Sequence, residues 1–298
     1  MALSDSIKRR FEVPDTGLIM ARLPESARNH VVAAMAELAG TFLFLFFALS
    51  IAQVANTPAA APGSQPLPDT SKLFYIALGF GCSVAVNVWI FYRVSGGMFN
   101  PAVTLTLWLI GAVPATRCVF VFVAQMLGGI AAAGVVSATF PGPLPANVRL
   151  GGGTSVSQGL FIEMFCTTQL VFTVVMLAAV KHKATYLAPI GIGIALFIGN
   201  ACSIYFSGAG INPARAFGPD VVNHSFPSYH WIYWVGPALG SLLAASFYQI
   251  LETLGWQTAN PGQDYDDVEA QGLDASRKTS QPGSHDSDET PVTVTTQV

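Results

Sequence analysis

"SGGMFNPAVT" at residues 95–104 and "SGAGINPARA" at residues 207–216 coincide at Ser, Gly, Asn, Pro and Ala, 112 residues apart. The register continues outward from them. Gly79-Phe80-Gly81 falls on Gly191-Ile192-Gly193, and Gly128-Gly129-Ile130-Ala131-Ala132 falls on Gly240-Ser241-Leu242-Leu243-Ala244. Upstream, Glu37 and Thr41 echo Glu163 and Thr167 at a slightly larger offset, the surplus being the Pro/Ala-rich segment 57–71, which reads as a loop on the outer side. The chain is built from two copies of one unit.

Composition says where the units sit. The 298 residues are 52% hydrophobic and only 10% charged, with a mean hydropathy of +0.50, against roughly 25% charged in ordinary soluble domains. Apolar runs near 30–55, 73–92, 118–139, 157–180, 187–206 and 231–254 each approach the roughly 20 helical residues that cross a hydrocarbon core. Six transmembrane helices are expected, three per copy. An odd number of crossings inverts the second copy relative to the first, so the two Asn-Pro-Ala segments enter from opposite faces and can meet.

The apolar stretch after each motif is too short to cross. "NPAVTLTLWLIG" before Pro114 allows about 12 helical residues, or roughly 18 Å. Asn is a favoured N-cap and Pro a favoured first helical residue. Asn100-Pro101-Ala102 and Asn212-Pro213-Ala214 are therefore expected to open re-entrant half-helices at mid-membrane, where irregular backbone survives only in protein or beside a cavity. Each half-helix aims the positive end of its dipole at the midplane, which disfavours cations and protons. If each Asn caps its own helix through oxygen, its NH₂ is left to donate to water and turn its hydrogens away from a proton wire.

The chain here resembles the aquaporin (major intrinsic protein) family over about residues 30–255. The resemblance rests on the two motifs, on Glu37 and Glu163 in "AELAGTF" and "IEMFCTT", and on "HWIYWVGPALG" at 230–240. It implies an all-α membrane fold of six spans plus two half-helices in an inverted repeat, passive conduction of water, and assembly as a homotetramer. It also implies a second constriction toward the outer mouth, formed by Phe80, Asn200, Ala209 and Arg215. Ala216, the pair Tyr233-Trp234 and Phe80 resemble the orthodox water branch more than the glycerol branch. Asn200 departs from the histidine usual in strict water channels, which implies a wider filter without that titratable donor. Asp220 fits neither branch where a small residue is expected.

Two other uses stay open. A broader channel would pass glycerol, hydrogen peroxide or ammonia, motivated by Asn200 and Ala209; a membrane structural or junction protein would keep the fold and conduct little. An enzyme is not expected, since no nucleophile–base pair or cofactor fingerprint is present, and the five histidines form no ligand spacing for a metal. No nucleic-acid partner is implied; the partners are water, small neutral solutes and the bilayer. Glu37 and Glu163, costly inside apolar spans, fit either a proton relay or acceptors for the re-entrant backbones, and their paired placement favours the second.

Nine basic residues (Lys8, Arg9, Arg10, Arg22, Arg28, Arg93, Arg117, Lys181, Lys183) fall on the N-terminal side of the spans and two (Lys72, Arg149) on the other, leaving out Arg215 and the tail. This bias puts both termini in the cytosol, with the plasma membrane as the expected location. The domain reading is a cytosolic extension at 1–29, a channel domain at 30–255 with halves of about 30–140 and 155–255, and a disordered acidic cytosolic tail at 256–298. The four cysteines read as small buried packing residues, Trp231, Tyr233 and Trp234 as an interfacial belt, and Asn223-His224-Ser225 as a glycosylation sequon.

Overall fold

A computed structural model describes residues 23–56 and 69–260. The N-terminal extension to residue 22, most of the 57–71 loop and the tail from 261 onward lie outside the described residues. Among the described residues, six helices are long and apolar enough to cross a membrane, and two short ones interrupt them. In chain order these are α1 (Glu25–Ala55), α2 (Thr70–Phe91), the short α3 (Pro101–Leu109), α4 (Ala115–Thr139), α5 (Val156–Val174), α6 (Ala188–Ser203), the short α7 (Pro213–Val222) and α8 (Ile232–Thr253). Helix α5 continues through a π turn, Val175–Ala179, and a 3₁₀ turn, Thr185–Leu187, leads into α6.

Local chemistry sets these boundaries. Pro24 and Pro114 stand immediately before α1 and α4, Asp69 caps α2 by accepting from the Lys72 N–H at 3.1 Å, and Ser155 with Gln158 forms a reciprocal capping box on α5. The first half-helix is shorter than expected, α3 having nine residues and not about twelve, and α7 has ten. In the first, Gly111 at φ +77° sits in the left-handed region just past Leu109, and Ala112 and Val113 donate back to the Leu107 carbonyl, closing the helix early.

The repeat is visible in the packing. Helices α2 and α6 cross at Gly81 and Gly193, where a Cβ on either would lie 2.7 Å from the carbonyl oxygen of the other. These two positions are repeat equivalents, so the close crossing is its own mirror image. Gly128 of α4 lies against the Leu38 carbonyl and Thr41 of α1; its equivalent Gly240 of α8 lies against the Met164 carbonyl and Thr167 of α5. Each contact brings helix backbones closer than any side chain would allow.

Two sequence expectations fail here. Cys82 and Cys202 are exposed and Cys118 and Cys166 only partly covered, so the cysteines are not buried packing residues. An apolar span in lipid is apolar on both faces, so composition does not tell inside from outside. Tyr233 is fully buried, its hydroxyl donating to the Ser207 carbonyl at 2.8 Å, and does not belong to an interfacial belt, while Trp231 is exposed. Beyond Leu251 a second compact unit begins, in which the described residues run to Asn260 and include a 3₁₀ turn at Trp256–Thr258.

Candidate functional site

The two loops that carry Asn-Pro-Ala are held by the buried glutamates in matching ways. Glu37 Oε1 accepts from the Ser95 hydroxyl (2.6 Å) and the Met98 N–H (2.9 Å), and Oε2 from the Phe99 N–H (2.8 Å). Glu163 Oε1 accepts from the Ser207 hydroxyl (2.6 Å) and the Gly210 N–H (2.9 Å), and Oε2 from the Ile211 N–H (2.5 Å). All three donors are repeat equivalents. Phe99 and Ile211 sit at φ +49° and +53°, a region that bulky side chains enter at a cost of about 1–3 kcal/mol. The carboxylates hold the backbone in that shape, and this bends each chain so that the next residue can start a helix.

That next residue is the asparagine. Asn100 Oδ1 accepts from the Ala102 N–H and Asn212 Oδ1 from the Ala214 N–H, both at 2.9 Å, with the Arg215 N–H at 3.4 Å as well. Pro101 and Pro213 fill the first helical position. The amide nitrogens are not left wholly to the lumen, contrary to the expectation from sequence. Asn100 Nδ2 donates to the Ile211 carbonyl (3.1 Å) and Asn212 Nδ2 to the Phe99 carbonyl (2.8 Å), so each asparagine ties its loop to the opposite one. One of the two N–H groups on each amide is used in this cross-link and one remains. Both asparagines line a single narrow cavity of about 30 Å³, space for a few waters at roughly 10–15 Å³ each.

The same cavity is lined by Phe80, Asn200, Ala209 and Arg215. The Arg215 guanidinium lies 5.1 Å from the Phe80 ring centre, within cation–π range, and Nη1 donates to the Ala146 carbonyl at 2.6 Å. Asn200 turns its Nδ2 back to the Leu196 carbonyl (2.9 Å), which leaves Oδ1 without a protein partner. Arg215 Nε is likewise unpartnered. This arm of the cavity therefore sets a guanidinium and an amide beside an aromatic wall. Its repeat equivalents, Ile192, Val88, Gly97 and Val103, also line the cavity and offer neither. A Cβ on Gly97 would meet the Val88 backbone at 3.2 Å, so that arm is walled by main chain and aliphatic carbon.

Several contributors had no clear sequence signal. Gln125, an amide inside α4, donates to Glu37 Oε2 (2.9 Å) and to Thr104 (3.0 Å); its repeat equivalent is Pro237, so the repeat did not reveal it. Asp220 is fully buried and accepts from Arg149 (2.8 Å), from the His230 ring (2.8 Å) and from Asn147. Asn223, the sequon residue, has its amide engaged with the Leu144 carbonyl (2.8 Å) and Asn147. Among the described residues, no cluster of His, Cys, Asp or Glu could hold a metal ion.

Comparison with known proteins places this geometry. Residues 25–248 match the model for "Major intrinsic protein". The chain is 56% identical over 245 residues to Aquaporin-7 of Botryotinia fuckeliana, covering 81% of this chain and 54% of that protein. It is 53% identical over 248 residues to Aquaporin-1 of Gibberella zeae, covering 82% and 77%. The chain spans about half the length of several of the curated relatives it matches. Among solved structures, the aquaglyceroporin from Plasmodium falciparum superposes with a TM-score of 0.62 at 21% identity, covering 74% of this chain and 95% of that one. At that identity the likeness is one of fold.

Proposed function

The chain belongs to the major intrinsic protein family, and from that premise we propose that this multi-pass membrane protein is a passive water channel that excludes protons and cations. The observation that carries the reading is the arginine arm: a buried guanidinium held beside Phe80 in a narrow cavity with room for a few waters. A fixed positive charge, reinforced by two half-helix N-termini aimed at the same cavity, repels cations. The remaining N–H of Asn100 and of Asn212 gives each passing water a donor to accept from, which opposes proton hopping along the file.

The proposal also takes the cavity's arginine arm as the outer one, with both termini cytosolic by the nine-to-two bias in basic residues. Residence in the plasma membrane and assembly as a homotetramer are carried over from the family resemblance, as are the channel domain at 30–255 and the water branch. A second reading, a channel that also passes glycerol, hydrogen peroxide or ammonia, is favoured by one observation, the short Asn200 amide among the cavity-lining residues with its Oδ1 without a protein partner. Swelling of proteoliposomes made with the full chain tests both. Water flux far above glycerol flux supports the first reading, and glycerol flux rivalling water supports the second. Arg215→Ala should raise cation and glycerol leak; unchanged permeability to both would remove Arg215 from the filter.

A further inference from the structure

The Arg215 guanidinium needs something to aim it, because a long side chain on a half-helix has many rotamers and its charge acts only where it is held. Among the described residues its hydrogen bond goes to one acceptor, the Ala146 carbonyl, on the segment between α4 and α5. That carbonyl is itself held through its neighbours. Asn147 donates to Asp220 Oδ1, and Arg149 Nη1 bonds Oδ1 and Oδ2 of the same carboxylate at 2.8 and 3.1 Å. Arg149 also donates to the Val148 carbonyl (2.6 Å) and, through Nη2, to Ser225 (2.7 and 3.0 Å). The strap lies directly on the second loop: a Cβ on Gly208 would meet the Arg149 nitrogen at 2.7 Å. The far side of the carboxylate is closed by His230 Nδ1 at 2.8 Å.

The repeat supplies a control. The equivalent of Asp220 in the first half is Trp108 of α3, which is 46% exposed. The equivalent of Arg215 there is Val103, an aliphatic side chain with nothing to orient. At this repeat position the acid stands in the half that has a charge to aim and an exposed tryptophan in the half that has none.

We propose that Asp220 is a positioning residue of the constriction: by clamping Asn147 and Arg149 it fixes the Ala146 carbonyl, and that carbonyl fixes the Arg215 guanidinium in the lumen. The proposal rests on Arg215 being the filter charge. Without the carboxylate the strap keeps its backbone contacts but loses the anchor that both flanking side chains share. The guanidinium then samples other rotamers, and discrimination falls while the pore stays open.

The test is a coupling measurement in proteoliposomes carrying the full chain, with the glycerol-to-water permeability ratio as readout for wild type, Asp220→Asn, Arg215→Ala and the double variant. The ratio is formed from each flux after subtraction of the protein-free background, so a loss of folded protein lowers both channel fluxes together and the ratio separates positioning from general damage. Asp220→Asn should raise the ratio roughly threefold or more, and in the Arg215→Ala background the same change should shift it by less than about 1.5-fold. Arg149→Gln, at a side chain one-third exposed, should move the ratio in the same direction and serves if Asp220→Asn yields no folded protein. If Arg215→Ala raises the ratio but neither Asp220→Asn nor Arg149→Gln does, or if the two effects simply multiply, the positioning role is wrong. An unchanged ratio in Arg215→Ala overturns the filter reading itself, and the proposal with it.

Discussion

The loop at Ser95–Asn100 and the loop at Ser207–Asn212 are the same device built twice, with a serine, a buried glutamate, a residue at positive φ and a cross-linking asparagine in each. The cavity arms beside them are not alike. Val88, Gly97, Val103 and Ile192 stand on one side where Asn200, Ala209, Arg215 and Phe80 stand on the other. In the loops the repeat-invariant serines, glutamates and asparagines hold backbone, the asparagines also lining the cavity, whereas these four flanking positions differ between the halves. On the proposed function, the difference separates what the fold needs from what selection between solutes needs.

The largest effect should come from breaking what the halves share. Glu37→Gln and Glu163→Gln each place an amide where a carboxylate accepts at least three hydrogen bonds. Each should cost about 3 kcal/mol or more, seen as a lower unfolding midpoint in detergent. Loss at only one of the two sites would end the equivalence of the loops. Next in size, Arg215→Val gives the arginine arm the residue of its opposite. It should raise the glycerol-to-water ratio by about tenfold, the equivalent of about 1.4 kcal/mol, with the unfolding midpoint nearly unchanged.

Asn200→Val is a smaller step with the opposite effect on glycerol, removing the unpartnered acceptor and installing the residue type of its equivalent Val88. Added to Arg215→Val, where glycerol leak is measurable, it should lower that leak about two- to fivefold, the scale of one hydrogen bond of roughly 0.5–1.5 kcal/mol; an unchanged leak would mean that Asn200 Oδ1 does not touch the solute. The smallest effect concerns a scaffold position where the halves differ. Ser241 donates to the Ala102 carbonyl at 2.8 Å, whereas its equivalent Gly129 simply lets the Ala214 carbonyl approach. Ser241→Ala should lower stability by about 1 kcal/mol and leave solute ratios alone, as thermal unfolding and swelling measured together would show.

The parts of this structure that could be read in the sequence are those that repeat. The six spans, the inverted halves, the asparagine caps and the paired glutamates all leave two correlated marks in the chain. Features that occur once are harder to see. Ala146 contributes a carbonyl, which has no residue signature, and only the path of the loop brings it to Arg215. Asp220 registers in the sequence as a misfit without a partner, because Arg149 and His230 reach it from two other segments. Asparagine nitrogens expected to point wholly into the lumen instead share themselves with the facing loop, a contact set by the distance between two half-helices. Half-helix length is overestimated from sequence because apolar residues run on past the glycine that ends α3.

At the centre stands one claim: the arginine arm, set against its aliphatic mirror, makes the lumen a path for water. Stopped-flow swelling and shrinking of proteoliposomes containing the wild-type full chain, with water and glycerol measured on the same vesicles, tests it most directly. Water permeability well above protein-free vesicles, with glycerol close to that background, is the expected result; glycerol moving as fast as water, or no water flux above background, would contradict it.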